Sequence, residues 1–506
     1  MPNKIAIQLR RKLSLTTSFL ILSAASFSQN SIIEEKLSGL TYKNDAQVSF
    51  SNKKTPLWIA SNKYGLSSVK GDNGHLRLSL LRNVKCDSIH KWKIGYGIDV
   101  AGAYNYTSPI VIQQLFLDAQ YKGIGISIGS KERAAEMKNE ELSSGSQTFG
   151  INARPVPQVR IEIPEYISIT GKSNWAAVKG HISYGMFTDD KWQKDYVVSG
   201  SRYTQKVLYH SKAGFLRLGN EKNFPLVFEG GLEMAGQFGG ESHNRLPNGE
   251  VLKLGTSLKD FFNIFTLGGA DPTDGIYSNV AGNTLGSWLL SLSYKFDTWK
   301  VRAYYDHFFE DHSMMFAEYG WKDGLRGIEI TLPKNNFVNT FVYEYIGTKD
   351  QAGPIYHDHT DAVLDQISAI DNYYNHSIYN GWQHWGQAIG NPLFTSPLYN
   401  DKNKLSFENN RFLAHHFGIN GNPRSDLHYR ILVSYSESWG IYNDPYDDKK
   451  YNTSIMGEIS YHPNRILNRN VSGWALSGAF AIDRGSILGN NTGFQLTISK
   501  KGILNF

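Results

Sequence analysis

Across residues 289–309, apolar and polar residues alternate on both sides of a two-residue break at Asp297 and Thr298. The pattern recurs along the chain. In 427–435, Leu427, Tyr429, Ile431, Val433 and Tyr435 oppose His428, Arg430 and Ser434. In 225–237, Leu226, Phe228, Leu232 and Met234 oppose Glu229, Glu233 and Gln237, and near the end Phe494, Leu496 and Ile498 oppose Gln495 and Thr497. Successive side chains of a strand point to opposite faces, so each segment predicts a strand with one apolar and one polar face. A soluble sandwich produces such strands at about 5–6 residues, whereas a membrane barrel needs roughly 9–11 and turns its apolar face outward. The segments here are long and carry aromatics near their ends: Trp92, Tyr104, Tyr184, Trp288, Trp299, Phe309, Tyr435, Tyr461 and Trp474. Rings at those positions suit the two interfaces of a bilayer. Lipid then faces every second residue, and the polar residues between keep the mean hydropathy at −0.38.

The pattern predicts strands near 57–62, 74–84, 91–102, 110–121, 123–130, 157–164, 175–186, 204–219 and 225–238. Further strands are expected near 285–297, 299–309, 323–332, 337–346, 405–418, 426–436, 451–461, 473–482 and 492–499. The fold class is therefore all-β, a transmembrane antiparallel barrel of about 18 strands, an even number as closure requires. Short connections (122–123, 297–298, 333–336, 420–425) alternate with long ones (131–156, 187–203, 239–284, 310–322, 347–404, 437–450). Outer-membrane barrels have short periplasmic turns and long outer loops, which would put the long set outside as a cap over the mouth. The 462–472 connection is long for its side. The expected organisation is a signal peptide over 1–28, a periplasmic or plug segment over 29–50 and the barrel over 51–506, with major extracellular loops at 239–284 and 347–404.

The signal reading rests on Lys4, Arg10, Arg11 and Lys12 before the apolar stretch 13–25 and the small residues of 26–28. Removing those four cations lowers the formal charge from +6 to +2, which leaves no electrostatic case for nucleic acid. The single cysteine, Cys86, excludes an internal disulfide and a CxxC metal site.

Inward-facing candidates are Lys93, Asp99, Lys179, His181, Glu229, Glu233, Arg302, Asp306, Glu329, Glu344, Arg430 and Glu458. Both signs occur, which favours a neutralised lumen over a selective pore. The connection 347–404 is rich in aromatics and hydrogen-bonding groups. Tyr356, Tyr373, Tyr374, Trp382 and Trp385 lie among His357, Asp358, Asp371 and His384. Flat rings meet the C–H face of a sugar while Asp, Asn and His bond its hydroxyls, so these residues are carbohydrate-binding candidates. The alternative is that the same rings pack the loop into a cap. His357-Asp358-His359 is weak as a metal site, since neighbours on a strand point apart, and no cofactor is expected. Neither GxSxG nor a His-Glu-x-x-His motif occurs, and no enzyme activity is expected.

"GPIYHD", "DNYY" and "GWQHWGQAIGNPL", with upstream "EDHSMMF", "DGLRGIEITLP" and "FVYEYIGTKDQ", resemble the capsule assembly protein Wzi family. "TPLWIASNKYG", "NARPVPQVRIEIP" and "GLEMAGQFGG" extend the resemblance over nearly the whole mature chain. It implies a non-catalytic, lectin-like outer-membrane barrel that retains or assembles capsular polysaccharide at the cell surface. The expected partners are capsular or other surface polysaccharide, outer-membrane lipid and, during insertion, the barrel assembly machinery, with the protein a monomer. The resemblance also implies a periplasmic helical bundle, for which this chain offers only short helix-compatible stretches such as 32–37. A diffusion porin or carbohydrate transporter is the alternative.

Overall fold

The computed structural model describes residues 39–86, 91–245, 249–266, 282–310, 315, 322–333, 335, 337–351, 371–467 and 469–504. Within these, eighteen antiparallel strands form one sheet that closes on itself. Each strand pairs with its neighbours in sequence, and Leu40–Ser51 joins Asn491–Leu504 from Leu40 opposite Leu504 to Ser51 opposite Gly493. Closure gives every ladder N–H and C=O a partner, which hydrocarbon demands.

The faces are inverted relative to a soluble protein. Leu76, Ile98, Leu117, Ile161, Leu292, Ile431 and Phe480 are exposed on the outer surface, while Asp99, Glu233, Asp306 and Glu344 are fully buried inside. So broad an apolar belt belongs in lipid. Rings border it: Trp92, Trp175, Trp299 and Trp474 near one end, Tyr104, Tyr435 and Tyr451 near the other, all exposed. Phe296 and Trp299 stack at 4.2 Å beside the 297–298 turn. Short turns gather at the first end, and long connections at the second, the loop end.

Three local expectations are corrected. The first barrel strand is Leu40–Ser51, inside the stretch read as a plug or periplasmic segment. Its outward side shows little apolar signal beyond Val48 and Phe50, because Asn44 and Ala46 share that face. Residues 57–62 form no strand; Leu57–Ala60 is a helical turn whose residues are all buried inside the barrel. A short apolar run fits either element, and burial on all sides decides for the helix. The 437–450 connection is short, since Leu427–Gly440 and Pro445–Tyr461 run on past the bilayer-facing pattern. The 462–472 connection carries a small hairpin, Arg465–Ile466 with Arg469–Asn470. The signal segment 1–28 and the stretch 32–37 lie outside the described residues.

The principal apolar core sits within the barrel toward the loop end. Inward-facing Phe308, Leu325, Val342, Ile346 and Phe412 pack with Trp58, Leu142, Tyr374, Trp382 and Phe394 from connections that fold back inside.

Candidate functional site

Three connections enter the lumen from the loop end. The 131–157 segment crosses it and is held by the carboxylates that alternation aims inward. Glu344 accepts hydrogen bonds from Ser143 Oγ (2.6 Å), the Ser144 amide (2.7 Å), Ser144 Oγ (2.5 Å) and Tyr304 Oη (2.6 Å). Asp306 accepts from the Gln147 amide at 3.1 Å and pairs with Lys138 at 3.1 Å. Glu233 Oε1 accepts from Ser146 Oγ (3.2 Å) and the Phe149 amide (3.4 Å). His416 lies between the Leu142 carbonyl at 2.8 Å and Ser434 Oγ at 2.7 Å.

The remaining inward candidates pair off around this segment. Asp99 takes Arg77, which also reaches Glu132 at 2.9 Å. Arg302 pairs with Glu329 and donates to the Met137 carbonyl at 2.9 Å. Arg430 pairs with Glu458 at 2.9 Å and donates to the Glu141 carbonyl at 3.1 Å. Lys179 pairs with Glu136, and His181 contacts Ser211 Oγ at 3.1 Å. Lys93 and Glu229 are half-buried on the same inward side.

The second insertion, 52–72, brings the Leu57 amide to Asp483 at 3.1 Å, the Asn62 side chain to the Ser144 carbonyl at 3.0 Å and Lys63 Nζ to Gln495 at 2.6 Å. The third, 371–411, carries most of the described sugar candidates. Tyr373, Tyr374, Trp382 and His384 are buried, and their polar atoms are used by protein. Tyr374 Oη donates to the Gln147 carbonyl, and its ring stacks on Phe394 at 4.0 Å. Trp382 Nε1 donates to the Thr148 carbonyl at 2.9 Å, and His384 Nδ1 meets the Arg154 carbonyl at 2.9 Å. Tyr373 Oη donates to Asp323 at 3.2 Å, where burial pushes the carboxyl up to about 6. These four rings form the inside of a cap, as the packing alternative holds. Asp371 is half-buried; Tyr356, His357 and Asp358 lie outside the described residues.

Trp385 differs. It is half-buried, and its backbone is left-handed (φ 56°). The fully buried Asp189 anchors it by accepting its amide at 2.9 Å. Its ring packs against Trp192 at 5.9 Å, which stacks on Tyr196 at 4.8 Å, while the Arg154 guanidinium covers it at 4.3 Å. Tyr196, Trp192, Trp385 and Arg154 thus form a continuous ladder of flat groups at the loop end. Trp192 and Tyr196 were not among the sequence candidates. The available signal was their spacing of four on the helix Asp190–Tyr196, which puts both rings on one face. A partly open ladder of this kind can stack on apolar sugar faces.

The sequence matches no described protein family and no curated protein. Among solved structures, the barrel is similar to Wzi of Escherichia coli, described as an outer-membrane protein involved in group 1 capsule assembly and a carbohydrate-binding β-barrel. The TM-score is 0.57 at 12% identity, covering 94% of this chain and 87% of that one. OprD of Pseudomonas aeruginosa aligns with a TM-score of 0.45 at 8% identity, over 92% of this chain and 95% of that one. OccAB3 of Acinetobacter baumannii aligns with a TM-score of 0.45 at 8% identity, over 92% and 99%. The architecture shared with Wzi, together with the lipid-facing belt, makes this chain a closed barrel of the outer-membrane type.

Proposed function

We propose that this barrel is exported to the outer membrane, turns its loop end to the cell exterior and there holds a surface polysaccharide, as a lectin-like element of capsule attachment. One observation carries the reading: the interior is filled by hydrogen-bonded protein while a ladder of rings stays accessible at the mouth. A lumen crossed by 131–157 and packed by 52–72 and 371–411 favours binding over passage. A repeating polymer needs only modest affinity at each site, because many contacts along it act together. The carbohydrate binding described for Wzi supports the same reading.

The test removes the ladder without touching the barrel. Trp192→Ala combined with Trp385→Ala should reduce capsule retained on cells, and binding of purified polysaccharide, by an order of magnitude at matched levels of folded barrel. Unchanged retention and binding would remove the basis of the proposal. A porin reading has one observation on its side: Ala134, Glu140 and Glu141 of the crossing segment are exposed, so water reaches part of the lumen. Conductance in planar bilayers separates the two readings, since an open pore conducts and a filled barrel does not.

A further inference from the structure

Arg154, the last member of the ladder, also lines a cavity of about 110 Å³ between the 131–156 segment and the inward faces of Gln158–Ser168, Ala176–Met186, Leu208–Leu218 and Leu226–Phe238. Lys131, Arg133 and Arg160 line it as well. Those three have carboxylates: Lys131 pairs with Asp118, Arg160 reaches Glu162 at 2.6 Å and Arg133 reaches the same carboxylate at 3.9 Å. Arg154 has no ion pair among the described residues. Its Nη2 donates to Thr107 Oγ1 at 2.7 Å, but Nε is buried without a protein acceptor.

Two acceptors on the same wall are equally unused. Gln158 Oε1 and Glu233 Oε2 are buried without a donor, although the Glu233 side chain is fixed through its other oxygen. The buried Asp189 carboxylate acts on Arg154 at longer range, but a buried cationic donor without an acceptor is costly, and so is a buried acceptor without a donor. Burial holds both Arg154 and Arg133 down at about 10. The lining residues therefore include one spare cationic donor and two spare acceptors, while Glu136 on the same wall is paired with Lys179. An oxyanion without protons, such as sulfate, satisfies the first and not the others. A sugar acid satisfies all three, with a carboxylate for the guanidinium and hydroxyl protons for Gln158 and Glu233. The space equals that of about four waters, so it admits the acidic side of one sugar unit, the rest of the ring reaching toward the ladder, and not a chain.

We propose that the polymer held at the mouth is acidic, with one uronic acid residue seated in this cavity, its carboxylate on Arg154 and its hydroxyls on Gln158 and Glu233. Neighbouring sugars then lie along Trp385, Trp192 and Tyr196. The inference rests on the polysaccharide reading and adds the charge of the ligand and the residue that senses it.

Titrating the intact purified barrel with trigalacturonate and with maltotriose tests it. The acidic probe is expected to bind more tightly. Arg154→Gln should weaken trigalacturonate at least tenfold more than it weakens maltotriose. Arg154→Lys, which keeps the charge but not the Nε donor, should fall between. Folding is checked by heat-modifiable electrophoretic mobility. If Arg154→Gln does not fold, Gln158→Ala, which preserves every charge, should still weaken trigalacturonate. Equal affinity for both probes, an Arg154→Gln barrel that binds trigalacturonate normally, or displacement of trigalacturonate by equimolar inorganic phosphate would each overturn the acidic-sugar site while the ladder's role stood. Loss of binding in the ladder variants distinguishes that case. Failure of both probes to bind the parent protein would overturn this inference and the polysaccharide reading together.

Discussion

At the scale of single residues, the cap is governed by how charge is buried at its base. Asp323 accepts the amides of Asp350 (3.1 Å) and Gln351 (2.6 Å) and the hydroxyl of Tyr373, so it ties the 371–411 segment to the strand Gly324–Thr331. Burial raises its pKa from 3.8 to about 6. A raised carboxyl penalises the folded state above its folded pKa, and that penalty fades as pH falls toward the unfolded value. Asp323 taken alone should therefore favour docking as pH drops from 7 through 6 to 4, by up to about 3 kcal/mol over the window. His376, held at about 3 by burial, opposes this contribution: it stays neutral in the docked cap but protonates once released below about 6.5, which penalises docking as pH falls. Amide protection of 371–381, corrected for its intrinsic pH dependence, should gain more or lose less between pH 7.5 and pH 5 in the parent protein than in Asp323→Asn, a comparison in which the His376 contribution cancels. The same pH response in the parent protein and in Asp323→Asn would show that Asp323 is not the latch.

At the scale of elements, the seam between two inserted segments is set by a glycine. A Cβ at Gly390 would run into the Tyr374 hydroxyl and the Gln147 carbonyl, where the cap meets the crossing segment. Gly390→Ala should cost roughly 1–3 kcal/mol of overpacking and open both segments to protease, while the barrel keeps its heat-modifiable mobility. Protease resistance equal to the parent's would mean the seam yields freely. This seam was invisible in the sequence, whereas the wall was not. Lipid accepts only the alternation seen across 289–309, so strands such as Asn283–Lys295 and Lys300–Glu310 could be read directly. Leu40–Ser51 escaped because its outward face holds Asn44 and Ala46 beside Val48 and Phe50. Leu57–Ala60 was misread because an apolar run has no period to reveal a helix. The aromatic load of 371–385 was legible as chemistry but not as direction. Whether Tyr374 or Trp385 faces outward depends on partners more than 180 positions away, Gln147 for one and Asp189 for the other.

At the scale of the whole molecule, the decisive property is what occupies the cylinder. A barrel of this strand number is wide enough for an aqueous channel unless protein fills it. Here the filling is fastened to the wall by acids: Glu344 holds Ser143 and Ser144, Asp306 holds Lys138 and Gln147, and Glu233 holds Ser146 and Phe149. The intact protein in planar bilayers should therefore show no stepwise conductance. Replacing 132–149 with a short Gly-Ser linker removes the crossing strand of protein and the Lys138 counter-charge, yet leaves Glu233, Asp306 and Glu344 on the wall. The opened barrel should conduct and should prefer cations, because three wall carboxylates lose the donors of the removed segment while Lys179, which loses Glu136, offsets only one of them. Stepwise conductance from the intact protein would instead favour the porin reading. A silent deletion variant would mean that the 52–72 and 371–411 segments suffice to seal the barrel, and that the acids anchor the crossing segment without its being the seal.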